Sequence, residues 1–264
     1  MLIVFSSALV AKEEQALDCV IEPSMLVELS SQVRGVLEKV YVERGDLVTK
    51  GQLLAKLMSG VEKASVKISK GRARMEVDIK SRQAERQFRK NTLKQVSQLH
   101  KKGLASQREF DDAKTSSVVA DVELEKAIEL KHLASLELKR TEEVLKLRSM
   151  YSMINGVVIE VIKSPGEFVE ELPVMKIAQI DPLYVEVIVP ESMMGNIKIG
   201  QQASINVDIP EMASYNGTVS VVDQVIDAPS GTFGVRVNLP NPDKKIHAGL
   251  RCNTVFIEKV AAQE

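Results

Sequence analysis

Two stretches of the chain repeat one pattern: GVLEKVYVERGDLV, Gly35–Val48, lies over GVVIEVIKSPGEFV, Gly156–Val169, without a gap. Val36 meets Val157, Val40 meets Val161, Gly45 meets Gly166, Asp46 meets Glu167 and Val48 meets Val169; the match then fades, with Gly51 facing Leu172. Valines and glycines at these intervals read as short strands joined by tight turns. The first glycine of each copy, Gly35 or Gly156, is expected to let the chain turn into a strand. The second, Gly45 or Gly166, takes a backbone conformation that a bulky residue resists. Either copy alone is too small to bury its apolar face. Two together can complete one pseudo-symmetric β-sandwich, and whatever lies between them must leave and return at the same edge.

What lies between them is helical. Residues 60–150 contain no proline, although the chain has 9 Pro, and Lys, Arg, Glu, Gln, Ala and Leu dominate the segment. One stop and restart stands out: LHKKG ends a helix with basic residues and a C′ glycine, Gly103, and Ser106 with Glu109 forms an S-x-x-E capping box. Val61, Ile68 and Met75 recur at seven on the outgoing arm. On the return arm Phe110, Ala113, Ala120, Leu124, Ala127, Ala134, Leu138 and Leu145 fit an a/d seam that also carries Ser117, Lys131 and Thr141. The expectation is an antiparallel coiled-coil hairpin with arms of about 43 residues, reaching roughly 65 Å. Beyond Ala178, LYVEVIVP, QASINVDIP, YNGTVSVVDQVI, TFGVRVNL and NTVFIEKV are β-branched runs between Pro, Gly and Asn turns, and read as an antiparallel sandwich or barrel of about six strands.

Composition removes several function classes. The formal net charge is -1 and aromatic residues make up 4 %, with Trp 0, so neither a basic field nor a stacking platform favours nucleic acid. His100, His132 and His247 are scattered, with no H-E-x-x-H, G-x-S-x-G or phosphate loop to organise them, and read as solvent-facing. The expectation is no enzyme, with no catalytic residue, metal or cofactor. Cys19 and Cys252 lack any C-x-x-C spacing and read as two idle or buried thiols, a single disulfide being the other arrangement. The apolar run Leu2–Ala11 is too short to span a bilayer and has the length of a signal-peptide core, although no Lys or Arg precedes it and Leu9 stands where a small residue is expected. It reads as an export signal, against the alternative of an ordinary first strand.

The two repeats resemble the halves of a biotinyl/lipoyl-type domain, and the order half, helical hairpin, half, β-barrel is similar to the HlyD-type membrane fusion proteins, most like the adaptors of RND pumps. VPESMMGNIKIGQQASI, GTFGVRVNLPNP and IHAGLRCNTVFI add to the likeness. The resemblance implies a mixed α and β, modular and elongated fold: a split lipoyl-like β-sandwich with an inserted antiparallel α-helical coiled-coil hairpin, followed by an antiparallel β-barrel domain. The expected boundaries are an N-terminal signal-like segment at 1–23, lipoyl-like halves at 24–58 and 151–178, the hairpin at 59–150 with its tip at 103–106, and the barrel at 179–260. It further implies a homo-oligomeric periplasmic adaptor, associated with the inner membrane of a Gram-negative envelope. Its partners would be an inner-membrane transporter, RND-type rather than ABC, and an outer-membrane efflux channel. In the family the hairpin tip docks on the channel through an arginine, a leucine and a serine. Anchored on Ser106, the leucine falls on Leu99 and the arginine position holds Gln95, with Gly103 and Leu104 completing the tip. Two other readings compete. Glu62-Lys63-Ala64 resembles the modified tip of a lipoyl or biotinyl carrier, but here the second half starts only at Tyr151, which puts Lys63 at the base of a long helix. A coiled-coil structural protein would have no need to insert its rod inside another domain.

Overall fold

A computed structural model of the chain describes residues 16–208 and 214–257, so the export signal expected at 2–11 lies outside the described residues. The elements in order are β1 (Leu17–Leu29), β2 (Gly35–Val40), β3 (Leu47–Val48), β4 (Leu53–Leu57), α1 (Gly60–Arg74), α2 (Val77–Lys101), α3 (Gln107–Lys146), β5 (Ser149–Tyr151), β6 (Gly156–Val161), β7 (Phe168–Val169), β8 (Met175–Pro190), β9 (Gln202–Val207), β10 (Tyr215–Val222), β11 (Thr232–Leu239) and β12 (Arg251–Phe256). They fall into two compact units. Of the described residues, one holds those up to Ser30, Lys39–Ala55 and those from Met150 on; the other holds Ser31–Glu38 and Lys56–Ser149.

The repeat becomes two short-stranded halves that exchange strands. β3 of the first half pairs with β6 of the second, Leu47 opposite Val157 and Val48 opposite Gly156. In the four-stranded sheet, ordered β5-β4-β2-β7, the second half's β7 lies beside the first half's β2. Equivalent valines end equally buried, Val48 at 3 % and Val169 at 0 % exposure. The two turns are also equivalent: Gly45 has φ 95° and Gly166 φ 93°, the left-handed region in which a side chain is strained. Beside each glycine an acid holds the turn. The Asp46 carboxylate accepts from the Glu43 N–H at 2.8 Å, and the Glu167 carboxylate accepts from the Ser164 N–H at 3.0 Å. The bond from Ser164, followed by that from Lys163, holds the Glu167 pKa below the usual carboxylate value. Gly35 and Gly156 act differently from expectation, since neither has a positive φ and both serve close approach. A Cβ on Gly156 would sit 2.2 Å from the Ala178 carbonyl oxygen, and one on Gly35 would sit 2.6 Å from Nη1 of Arg148.

The barrel closes with six strands in the order β1-β12-β9-β10-β11-β8, because β1 also pairs with β8. Five of these strands lie in the runs read from the sequence. The sixth, β1, begins inside the N-terminal segment that the sequence reading set apart, and its alternation of buried Leu17, Cys19 and Ile21 with exposed neighbours is that of a strand with one face in a core. β8 runs unbroken from Met175 to Pro190 and pairs with β1 on both sides of an irregularity between Pro23 and Met25, so two strands join sandwich and barrel. Cys19 and Cys252 are not idle thiols: they face each other across β1 and β12 and form a disulfide between positions separated by 233 residues. Cross-strand register brings them together, which no sequence spacing encodes. The Asn-Pro motif has a structural role, since buried Asn241 accepts from the Ile246 N–H and donates to the carbonyls of Ile180 and Ile246.

The hairpin has two arms but three helices. The outgoing arm breaks at Met75, which is extended (φ −69°, ψ 121°), and restarts at Val77. No Pro or Gly occupies the break; Glu76 there accepts a hydrogen bond from Lys131 of α3 at 2.6 Å. That bond, ahead of the Lys131 and Lys80 charges, holds the Glu76 pKa down. The return seam lies as read: Ala120, Leu124 and Ala127 are buried and Phe110, Ala113, Ala134, Leu138 and Leu145 are half-buried. Its polar members are accommodated, with Ser117 and Thr141 buried and the Thr141 hydroxyl donating to the Leu138 carbonyl. The outgoing seam was misread. Val61, Ile68 and Met75 are exposed, at 78 %, 58 % and 67 %. The inward residues are Glu62, Val66, Ser69 and Ala73. The frame follows from Glu62, which accepts from Nε and Nη2 of Arg148, at 3.0 Å and 2.6 Å, and so turns this face toward α3. Lys63 is exposed on α1, with its N–H bonded to the Ser59 carbonyl, which removes the carrier-tip geometry.

Two stability predictions follow from the packing. Gly156→Ala should cost more than Gly45→Ala, about 3 kcal/mol against about 1 kcal/mol, because the first must displace a backbone carbonyl while the second strains only its own torsion; denaturant titration of both variants checks the order. Cys252→Ser should lower stability by about 2–4 kcal/mol, an effect that a reducing agent should reproduce on the unsubstituted protein.

Candidate functional site

The described residues hold no group of three or more His, Cys, Asp or Glu able to hold a metal ion. The feature that stands out lies where α2 turns into α3. α2 ends in a two-bond C-terminal lock: the Gly103 N–H donates to the His100 carbonyl and the Leu104 N–H to the Leu99 carbonyl, both at 2.9 Å. Gly103 supplies the left-handed residue this motif needs, with φ 73°. The same bond that closes the helix brings Leu104 back over Leu99, the apolar pairing expected of the motif.

α3 starts with a complete capping box. The Ser106 hydroxyl oxygen accepts from the Glu109 N–H at 3.2 Å, and the Glu109 carboxylate accepts from the Ser106 N–H at 2.7 Å. The backbone bond, then the bond from the Ser106 hydroxyl, lowers the Glu109 pKa. Between the caps, His100 donates from Nδ1 to the Ala105 carbonyl at 2.9 Å and stacks on Phe110, with ring centroids 5.3 Å apart. His100 is therefore half-buried bracing rather than solvent-facing, while His132 and His247 are exposed. A signal for it existed: Ile79, Arg86, Leu93 and His100 recur at seven along α2, and all four are half-buried.

The result is a turn held at both ends whose apolar side chains point to water. Leu104 is 72 % exposed and Leu99 45 %, and Gln95, Gly103 and Ser106 are exposed beside them. Gln95 and Leu99 stand one helical turn apart on the same face. Below the tip an open groove of about 380 Å³ runs between α2 and α3, with Val96, Leu99, Leu104, Ala105 and Ala113 among its walls. A pre-ordered apolar knob above an amphipathic groove can recognise another surface at little entropic cost.

Residues 182–259 match a family model described as the CusB-like, beta-barrel domain. The macrolide export protein MacA of Yersinia pestis is 26 % identical over 231 residues, covering 83 % of this chain and 61 % of that protein. The pyoverdine export membrane fusion protein PvdR of Pseudomonas aeruginosa is 24 % identical over 272 residues, 91 % of this chain and 69 % of that protein. The crystal structure of MacA from Actinobacillus actinomycetemcomitans aligns with a TM-score of 0.69 at 22 % identity, over 92 % of this chain and 78 % of that one, a likeness of fold. This chain thus spans less than two thirds of the length of the Yersinia relative. The resemblance to membrane fusion proteins is borne out by these matches.

The capping box makes the tip acid-sensitive in a defined direction. Glu109 titrates below its unfolded value of 4.5, so its contribution is full above pH 4.5 and is lost as pH falls through the lowered native value. Amide protection factors at the first turn of α3, corrected for the intrinsic pH dependence of exchange, should fall in that window, and Glu109→Gln should remove that fall. Ser106→Ala should cost about 1 kcal/mol at neutral pH.

Proposed function

We propose that this chain is a non-enzymatic adaptor subunit of an export pump. It works in the periplasm of a Gram-negative envelope in association with the inner membrane, and links an inner-membrane transporter to an outer-membrane channel for the export of small molecules. The observation that carries the reading is the tip: Leu104, 72 % exposed, held in a turn locked by helix caps on both sides. An exposed leucine on a mobile loop would have no fixed partner geometry, whereas one fixed by four hydrogen bonds from backbone N–H groups presents a constant shape. Leu99, Gly103, Leu104, Ser106 and Gln95 form the docking surface for the channel. Gln95 replaces the family's arginine with a neutral hydrogen-bonding group, so contact at that point is made without a formal charge.

Support for the rest is of three kinds. The names of the relatives speak of macrolide export and of pyoverdine export, which suits a small-molecule cargo. The barrel model carries an RND label, which favours an RND-type transporter over an ABC-type one. The Cys19–Cys252 disulfide suits an oxidising compartment, since cytosolic thiols are kept reduced. In this reading the protein oligomerises into a ring, and transporter motion passes through short connections near residues 58–60 and 150–155 to the stiff hairpin. The free energy comes from the transporter.

Photocrosslinking from position 104 in living cells, with mass spectrometry of the product, tests the reading. Capture of an outer-membrane channel is expected. Capture of sister copies alone would replace the adaptor with a coiled-coil rod. In parallel, Leu104→Asp should abolish export with an unchanged melting curve; retained export would remove the docking role.

A further inference from the structure

β1 and β8 both run through sandwich and barrel, and the ladder between them is interrupted where they pass from one to the other. Pro23 faces Leu183 on the barrel side, and Met25 faces Gln179 on the sandwich side. One residue of β1, Ser24, therefore stands against three of β8, Ile180, Asp181 and Pro182. Pro23 and Pro182 have no N–H to give to a ladder. The Ser24 hydroxyl reaches across the gap to the Gln179 carbonyl only at 3.4 Å, and the Gln179 side chain turns back along its own strand to the Asp181 carbonyl at 3.1 Å. A two-stranded ribbon broken in this way bends readily. Left to its strands, the joint would be a hinge.

The loop after β11 covers this gap. β11 pairs with β8 as far as Leu239 opposite Leu183, so Asn241 follows directly on a strand fixed in the barrel. Its Nδ2 donates to the Ile180 carbonyl at 3.0 Å, and its N–H donates to the Asp181 carboxylate at 3.0 Å. The same amide closes the loop on itself: Nδ2 also donates to the Ile246 carbonyl at 2.9 Å, and Oδ1 accepts from the Ile246 N–H at 3.1 Å. Asn241 and Ile246 are each 3 % exposed, Ile246 lies in the barrel core, and Ile180 packs against that core. At its far end the loop holds β1. The Gly249 N–H donates to the Ile21 carbonyl at 2.7 Å, and the Ile21 N–H donates to the Leu250 carbonyl at 2.9 Å. One loop thus grips both strands beside the gap.

We propose that residues 240–250 form a strap that locks the joint between sandwich and barrel, with the Asn241 amide as its key, so that the two modules turn as one body. Asn241 is a positioning residue, too buried to meet a partner, and acts through the backbone of β8. The Ile180 carbonyl, freed by the interrupted ladder, finds its donor only at the angle between modules that brings it to Nδ2, and that requirement selects the angle. Breaking the lock leaves buried polar groups of Ile246 and Asn241 without partners, which is costly in a core. The inference goes beyond the adaptor reading and does not depend on it. Where that reading holds, a rotation imposed on the barrel reaches the sandwich whole, and bending falls to the connections near 58–60 and 150–155.

Spin labels on the full chain test it, since Cys19 and Cys252 are held in their disulfide and take no label. Glu160→Cys with Ser220→Cys puts one label on β6 of the sandwich and one on β10 of the barrel, both at exposed positions. Double electron–electron resonance should give one narrow distance distribution, and Asn241→Ala should at least double its width. A pair within the barrel, Asn206→Cys with Ser220→Cys, should stay equally narrow with and without Asn241→Ala. A broad distribution from the first pair with Asn241 in place, or an unchanged width with Asn241→Ala, would overturn the strap. Broadening of both pairs would also overturn it, making Asn241 a general support of the barrel. Should Asn241→Ala fail to fold, Asp181→Ala removes only the exposed acceptor of the lock. It should widen the first pair alone, and no widening would overturn the proposal.

Discussion

The structure depends on one constraint: neither half of the repeated sequence can finish its own sheet. A strand of two residues, β3 or β7, has almost no stability of its own, and each is held only by lying beside a strand of the other half. The valines that fill the thin core, Val48 and Val169, are buried only as a result of that exchange. Whatever the chain does between its halves must therefore bring Leu57 and Ser149 back to one place. Loop-closure entropy alone would tolerate a long floppy insertion. A hairpin of two packed arms does more, because it returns the chain with a fixed geometry. The root shows how: the Arg148 guanidinium holds Glu62 at the start of α1 and the Arg34 carbonyl beyond it, at 2.9 Å, so both ends of the insertion meet on one side chain. Gly35 lacks a side chain because that guanidinium fills the space.

This explains which parts were legible in the sequence. The repeat could be read because its glycines and acids are individually required by turn geometry: Gly45 and Gly166 by torsion, Asp46 and Glu167 as acceptors for the N–H three residues earlier. The tip could be read for the same reason, since C′ glycine and S-x-x-E each correspond to named backbone bonds. The seam of α3 was legible because Ala120, Leu124 and Ala127, then Ala134 and Leu138, keep the alternating three-and-four spacing of one helix face.

The misreadings share a physical origin as well. Val61, Ile68 and Met75 keep a perfect spacing of seven, but spacing identifies a stripe without saying which partner covers it. The frame of α1 was decided by an ion pair to a residue 86 positions away. The break at Met75 leaves no local mark because it is held from across the hairpin by Lys131. The same holds for β1 and the disulfide. Ile21 and Cys19 enter the barrel through pairing with strands more than 150 residues later, and only the closed sheet sets Cys19 opposite Cys252. Contacts encoded within one turn of chain were readable; those set by register between distant segments were not.

The tip and the arms also differ in the kind of surface they expose, and this bears on how an adaptor would divide its labour. At the tip the exposed apolar area is small and the backbone beneath it is capped on both sides, so recognition relies on shape, with Lys101, Lys102 and Arg108 offset in the surrounding sequence by Glu109, Asp111 and Asp112. Along the arms the apolar residues are spread over two levels, and the arms carry unequal charge. Such a surface gains little from any one residue. The arms' own cohesion is weak in its middle: none of the described residues of α2 is buried, and its inward positions include Arg82, Arg86 and Lys90, paired with Glu123 and Asp121 of α3. Exposed ion pairs of this kind contribute little each. A hairpin held by such a seam is least cohesive midway along its arms, while the caps keep its tip in shape independently of that seam.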